Sequence, residues 1–297
     1  MNSWKESALT GYYWVTLPVR RWAAQVRAAR QTEPVRILFY HRVADEHPNG
    51  WTISTRGFAK QIDWLRARYD LVSLAEAQQR IASGGNRVPT ACITFDDGYA
   101  DNMRFAVPLL MKHELPFTYF VSTSHVLGGR PFPHDVRSGR RLVPNTPAQL
   151  RQLAAAGVEI GAHTRRHVDL GGERTPGELR DEIVGCKWEL EHAIGREVRY
   201  FAFPYGLHEN LSSAAFRVAY EAGYAGVCSA YGGYNSPGDD PFHLRRFHAD
   251  PQFIRFKNWL TVDPRKLRQQ RDFEPGNYRC LAEEVSCKGA KAQRTAV

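Results

Sequence analysis

Two histidines stand four residues apart in His163-Thr164-Arg165-Arg166-His167, and a carboxylate pair, Asp96-Asp97, closes the apolar run Ala91-Cys92-Ile93-Thr94-Phe95. On one helical turn, positions i and i+4 face the same way, so this spacing lets both imidazoles reach a single ion. One oxygen ligand from elsewhere would complete a three-ligand site with a position left open to water, as in a metal-dependent hydrolase. Consecutive carboxylates point apart, so two roles can be divided between Asp96 and Asp97: one binds the ion while the other takes a proton from water. A zinc-protease motif would need glutamate directly after the first histidine, where Thr164 stands. The base must therefore come from outside the histidine segment.

The elements that would position these groups alternate. Strand-like apolar runs recur at residues 35–40, 91–95, 117–121, 158–160, 200–203 and 225–229, with helical patterns between them. Phe58, Ile62 and Leu65 share one helical face. Ser73 with Glu76, and Thr146 with Gln149, read as capping boxes. Thr175-Pro176-Gly177-Glu178 starts a helix predicted to run to about Ile194, and Gly157, Gly195 and Gly223 stand where C-terminal caps belong. Such alternation implies a mostly parallel sheet covered by helices, open or closed into a barrel, with its site at the C-terminal strand ends. Asp96-Asp97-Gly98, His163 and Pro204-Tyr205-Gly206 each follow a predicted strand. Residues 132–145 and 231–241 read as long loops. The expected division is an N-terminal helical extension over 1–33, one barrel domain over 34–262, and a basic, flexible tail over 263–297.

The 297 residues are 43% hydrophobic and 24% charged, an ordinary soluble composition. No apolar run approaches the ~20 residues of a membrane span. The formal net charge is +9, but residues 1–36 hold six basic and two acidic side chains and residues 261–297 hold eight and five. The body is thus near neutral, which argues against nucleic acid as a partner. Five cysteines without CxxC spacing suggest neither a disulfide framework nor a thiolate zinc site. The first thirty residues lack a basic n-region, a continuous apolar core and a small-residue cleavage site, so no secretory signal is evident and a location in the cytoplasm or at the membrane periphery is expected. Tyr12-Tyr13-Trp14 and Arg20-Arg21-Trp22 leave two readings open: peripheral contact with a membrane surface, or a short helix packed on the protein's own body. Trp64 and Trp188 are expected in the core.

Thr94-Phe95-Asp96-Asp97-Gly98-Tyr99 resembles the first motif of the NodB-like polysaccharide deacetylases, carbohydrate esterase family four. His163-Thr164-Arg165-Arg166-His167 resembles the second, and Phe203-Pro204-Tyr205-Gly206 the third. The likeness spans roughly residues 34–250. It implies an α/β fold, a deformed (β/α) barrel of mostly parallel strands, and a hydrolase that removes acetyl groups from N-acetylated hexosamines of a poly- or oligosaccharide. Carried over, Asp96 is the general base toward a metal-bound water. Asp97, His163 and His167 hold one divalent ion, most often zinc, and the backbone N–H of Tyr205 helps hold the oxyanion.

Two departures from the family pattern matter. Ala202 stands where many members carry an arginine that orients the catalytic aspartate, and Arg246 is the candidate to replace it. The late Leu-x-His motif that supplies the general acid has only His248 as its nearest match. Instead, Leu38-Phe39-Tyr40-His41-Arg42-Val43 resembles the branch that deacetylates poly-N-acetylglucosamine exopolysaccharide, where an N-terminal histidine takes that place. His41 is therefore the expected acid, ahead of His248. His134 and Asp135 fall in a loop that lies near substrate in relatives. Another amide hydrolase on the same barrel, or a catalytically silent glycan-binding protein, are the competing readings.

Overall fold

The computed structural model describes residues 3–279. Eight parallel strands form its centre: β1 (Val35–Tyr40), β2 (Thr90–Phe95), β3 (Phe117–Val121), β4 (Glu159–Ala162), β5 (Tyr200–Ala202), β6 (Gly226–Cys228), β7 (His243–Leu244) and β8 (Arg246–His248). Their order across the sheet is β7-β6-β5-β4-β3-β2-β1-β8, with a short strand, Asp70–Leu71, beside β2. The two outermost strands, β7 and β8, are separated in the chain by Arg245 alone. The sheet's edges must therefore meet, and the strands form a nearly closed, deformed (β/α)8 barrel. Asn235 fills the seam: its side chain accepts from the Arg245 N–H and donates to the Arg245 carbonyl, both at 2.8 Å, while its backbone pairs with Val35.

Side chains alternate along the strands, as pleating requires. Val35, Ile37, Cys92, Phe120, Tyr200, Ala202, Cys228 and Leu244 share one apolar cluster. Leu38, Tyr40, Ile93, Phe95, Tyr119, Val121, Ile160 and Phe201 belong to another, with the apolar faces of surrounding helices. These include α2 (Thr55–Arg66), whose Phe58, Ile62 and Leu65 are buried as the spacing predicts. Helix α3 (Leu74–Ala82) sends Leu74, Ala77 and Ile81 into the first cluster beside Val35 and Cys92. Its N-cap Ser73 accepts from the Glu76 N–H, but Glu76 pairs with Arg80 rather than returning the bond, so the expected box is half made. Thr146 and Thr175 open full capping boxes, and the helix begun at Pro176 ends at Ile194 on a left-handed Gly195.

A 27-residue helix, α1 (Ser3–Ala29), precedes the barrel and packs Tyr13 and Leu17 on Ile254 of the helix Phe253–Leu260. Residues 263–279, the front of the segment read as a basic tail, run from the helix Pro264–Gln269 to Tyr278, which stacks on Phe242. The rest of that segment, with Cys280 and Cys287, lies outside the described residues. Cys92, Cys186 and Cys228 are buried free thiols. Trp64 packs against the core, but Trp188 is 67% exposed and stacks on His192 one turn later in its helix, so its expected core position is corrected. Among the described residues no helix is long and apolar enough to cross a membrane.

Candidate active site

β2 runs out at Phe95, and the chain then turns left-handed at Asp97 (φ 71°) and Gly98 (φ 82°). A non-glycine residue held there costs about 1–3 kcal/mol, and the turn aims the two aspartates in different directions. β4 runs out at Ala162, and His163 follows. The segment to His167 is a loop and not the helical turn that the spacing suggests, because Thr164 (φ 58°) and His167 (φ 55°) are both left-handed. The helix Pro176–Ile194 holds it in this shape. The buried Glu182 carboxylate accepts the Arg166 N–H at 2.9 Å and pairs with the Arg166 guanidinium at 2.8 Å, while the Arg165 N–H donates to the Glu182 carbonyl at 3.1 Å. Tertiary ion pairs thus replace the helical hydrogen bonds, and the imidazoles still converge, with ring centres 5.1 Å apart.

Asp97 Oδ1 lies 3.1 Å from His167 Nε2 and 3.6 Å from His163 Nε2. These three ligand atoms fall within 4.8 Å of one another. Two observations show that they fit one metal ion. Asp97 Oδ1 is buried with no hydrogen-bond partner, although both imidazoles face it. His163 Nδ1 sits 2.8 Å from the Ala202 carbonyl, which can only accept, so the ring proton is on Nδ1 and the Nε2 lone pair is free for a cation. Burial lowers His163 to about 4, keeping it neutral. Burial pushes Asp97 up, but the facing His167 outweighs it and holds the carboxyl well below its usual range; His167 is correspondingly raised against its own burial.

Asp96, 3% exposed, is gripped by Arg246 from β8. Nη1 and Nη2 donate to its two oxygens at 2.7 and 2.9 Å, Nη1 also donates to Thr94 Oγ1, and Nε donates to the Ser229 carbonyl. The guanidinium carbon lies over the rings of both Phe39 and Phe120, 5.1 and 5.2 Å from their centres. Burial alone would raise Asp96, but the Arg246 charge overrides it and keeps the carboxylate ionised. Ala202 leaves the corresponding position on β5 without a guanidinium, and Arg246 reaches the same carboxylate from the other side of the seam.

Both candidate acids reach the pocket, with ring centres 6.4 Å apart. His41 follows β1, its carbonyl held by Asn102 Nδ2 at 2.7 Å, and its buried Nδ1 has no hydrogen-bond partner. Burial lowers it, while Asp97 and Asp96 pull the other way. His248, in β8, is lowered to about 4 by burial and by His41. Tyr205 is left-handed (φ 60°), its ring 5.2 Å from that of His167. Its N–H donates to no backbone carbonyl among the described residues. His134 lines the pocket, whereas Asp135 is buried and turned away, accepting from the Tyr99 hydroxyl at 2.7 Å and from Asn49 Nδ2 at 3.2 Å. The pocket holds about 590 Å³.

Sequence reasoning left Trp51 unassigned. Its ring, 47% exposed, lies 4.7 Å from that of His41 and 5.4 Å from that of His248. The available signal was its place after Asn49-Gly50, in the loop that leaves the same strand end as His41. Glu182 was also missed, since nothing in its helix pattern separates it from a solvated carboxylate.

Residues 83–227 match the family model described as polysaccharide deacetylase. The chain is 26% identical over 192 residues to YxkH of Bacillus subtilis (strain 168), a candidate polysaccharide deacetylase, covering 63% of this chain and 62% of that one. It is 25% identical over 183 residues to the peptidoglycan-N-acetylmuramic acid deacetylase PdaA of the same organism, covering 61% and 56%. It thus spans less than two thirds of the length of either relative. Among solved structures, IcaB from Ammonifex degensii superposes with a TM-score of 0.65 at 27% identity, covering 78% of this chain and 99% of that one.

Proposed function

From the match of residues 83–227 to the polysaccharide deacetylase family model, we propose that the chain is a metal-dependent hydrolase removing acetyl groups from N-acetylated hexosamine residues of a poly- or oligosaccharide. The observation that carries this reading is one pocket joining the Asp97, His163 and His167 ligand set to a second, ionised carboxylate, Asp96, held by Arg246. A divalent cation, zinc by the two-imidazole, one-carboxylate donor set, would be held by Asp97 Oδ1, His163 Nε2 and His167 Nε2, and would supply Lewis-acid polarisation of the acetyl carbonyl and acidify water in the pocket.

The chain's own groups divide the remaining work. Asp96 accepts a proton from the attacking water, its two oxygens fixed by the Arg246 fork. The Tyr205 N–H donates to the oxygen on which negative charge develops as the amide carbonyl becomes tetrahedral. His41 donates a proton to the departing sugar amine. Its orphaned Nδ1 and the pull of both aspartates on it favour it over His248, on which only Asp96 of the pair acts. His134 and the exposed face of Trp51 border the space for the sugar, and Asp135 supports the Tyr99 hydroxyl from behind.

Acetate release from N-acetylglucosamine oligomers tests the reading: it should be abolished by chelation and by Asp96→Asn, and restored to the wild type by zinc. Undiminished release by Asp96→Asn removes the base. Turnover of small cyclic amides with none of glycans transfers the site to another amide hydrolase.

A further inference from the structure

An ordinary surface helix has one apolar stripe, turned toward the core. Helix α1 has two. Leu9, Tyr13 and Leu17 form the packed stripe, against Ile254, and Arg20 beneath them donates to the Asn258 carbonyl. On the opposite side Trp4, Ala8, Gly11, Val15, Val19 and Trp22 recur every three or four residues, with Trp14 at the border. This second stripe touches nothing among the described residues that would hide it: Trp4, Trp14, Val15, Val19 and Trp22 are 64, 56, 80, 61 and 65% exposed. Three tryptophans, each more than half exposed on one helix, form a patch that core packing does not explain.

Its border names the chemistry of what covers it. Lys5 and Arg30 flank the stripe on one side and Arg21 on the other. The helix has a single carboxylate, Glu6, which at 3.6 residues per turn lies about 160° from the line of Trp4 and Trp22, on the side of the packed stripe. Beyond the helix, the Lys257 ammonium sits 5.2 Å from the Trp14 ring centre, and the Arg265 guanidinium 3.6 Å from that of Tyr12. A surface that is apolar to the depth of a side chain, rich in tryptophan and rimmed by cations is complementary to the headgroup region of an anionic bilayer. The charges along α1 keep it from crossing such a layer.

We propose that α1 seats its Trp4–Val15–Trp22 face in the interface of an anionic membrane while its Tyr13–Leu17 face holds the barrel. The two readings of this segment, membrane contact and packing on the body, are then one device with two faces. The geometry also fixes the pose. Leu9 and Tyr13, in the first half of the helix, pack with Ile254, just past the C-terminal end of β8, and Arg27, near its end, pairs with Glu33, just before β1. The helix therefore runs against the strands along the barrel's flank. Docked, the barrel lies on its side and the pocket mouth opens along the membrane plane.

The test is flotation of the full chain with vesicles of phosphatidylcholine alone or containing 30% phosphatidylglycerol, read by the bound fraction and by the blue shift of tryptophan emission. The wild type should float with the anionic vesicles and be released by salt, and Val15→Glu/Val19→Glu should weaken binding by about tenfold or more, because binding scales with apolar area inserted. Neither valine touches the pocket, so acetate release from soluble oligomers and the circular dichroism spectrum should match the wild type, which separates a lost membrane contact from a lost fold or a mistaken reaction. Three results overturn the proposal: wild-type protein that stays unbound to anionic vesicles, binding that the double variant retains, or a wild-type dimer in solution that the double variant dissolves, which would give the face to a second copy.

Discussion

Replacing Arg246 by methionine keeps much of its stem and removes the guanidinium. The loss is four hydrogen bonds, two of them to Asp96, from a side chain with no exposed surface. Asp96 would be left buried and ionised opposite an apolar tip, and breaking one side of such a pair costs about 3–5 kcal/mol. Equilibrium urea unfolding in excess chelator, which removes metal binding as a contribution, should show that loss with an unchanged m value. In an Asp96→Asn background the same replacement no longer strands a charge and should cost about 2 kcal/mol less, a coupling of the size found for residues in direct contact. The pH dependence has a definite sign. Asp96 ionises in the folded protein below its unfolded value, so its contribution is present above the unfolded pKa and lost as pH falls through the folded one. Without Arg246 the upward push of burial loses its largest opponent, and that loss should begin at higher pH. Equal cost in both backgrounds, or a single-variant cost under about 1 kcal/mol, would refute the view that the pair is tightly coupled.

Glu182→Ala should loosen the Thr164–His167 loop and weaken zinc affinity by about 10–100-fold, as removal of outer-sphere partners does, with metal content by elemental analysis as the measure. Asp97→Ala should leave the purified protein without stoichiometric zinc even after reconstitution, while His134→Ala should retain it. Buried His243 is lowered to about 3 by burial and by Arg245, beside Ser229. The unfolded chain therefore takes up a proton that the folded one refuses, so stability should fall as pH drops below about 6.5, by up to about 1.4 kcal/mol per unit from this one group, and His243→Asn should flatten that slope in unfolding titrations. Gly161→Ala would set a Cβ 2.3 Å from the Phe120 ring, and should destabilise the barrel beside His163 by about 1–3 kcal/mol in the same assay.

The six apolar runs read as strands all exist, within a residue or two, because each is buried on both faces and packed with branched and aromatic side chains. The helix from Pro176 was legible to its last residue, since both ends carry local capping chemistry. β7 and β8 were not, being two and three residues long; their strand character comes from pairing with β6 and β1, which no local pattern contains. The histidine spacing pointed to a shared ion for a reason that the structure replaces, since α-helical geometry is absent and Glu182, 16 residues beyond Arg166 on the next helix, shapes the loop. Ala202 told of a missing guanidinium, and a buried carboxylate needs one. Which arginine answers it depends on how the barrel closes, and both Arg245 and Arg246 are buried there.

The seam between β7 and β8 has a consequence in time. Asp96 and Arg246 are 150 residues apart in sequence, and a ribosome adding about 5–20 residues per second needs roughly eight to thirty seconds to cover that interval. During synthesis the first aspartate emerges, then the histidine loop, while the strand that closes the ring and the arginine that anchors the carboxylate come together and last. Whatever the histidine loop has done by then, the Asp96 carboxylate can gain its guanidinium partner only when the ring closes.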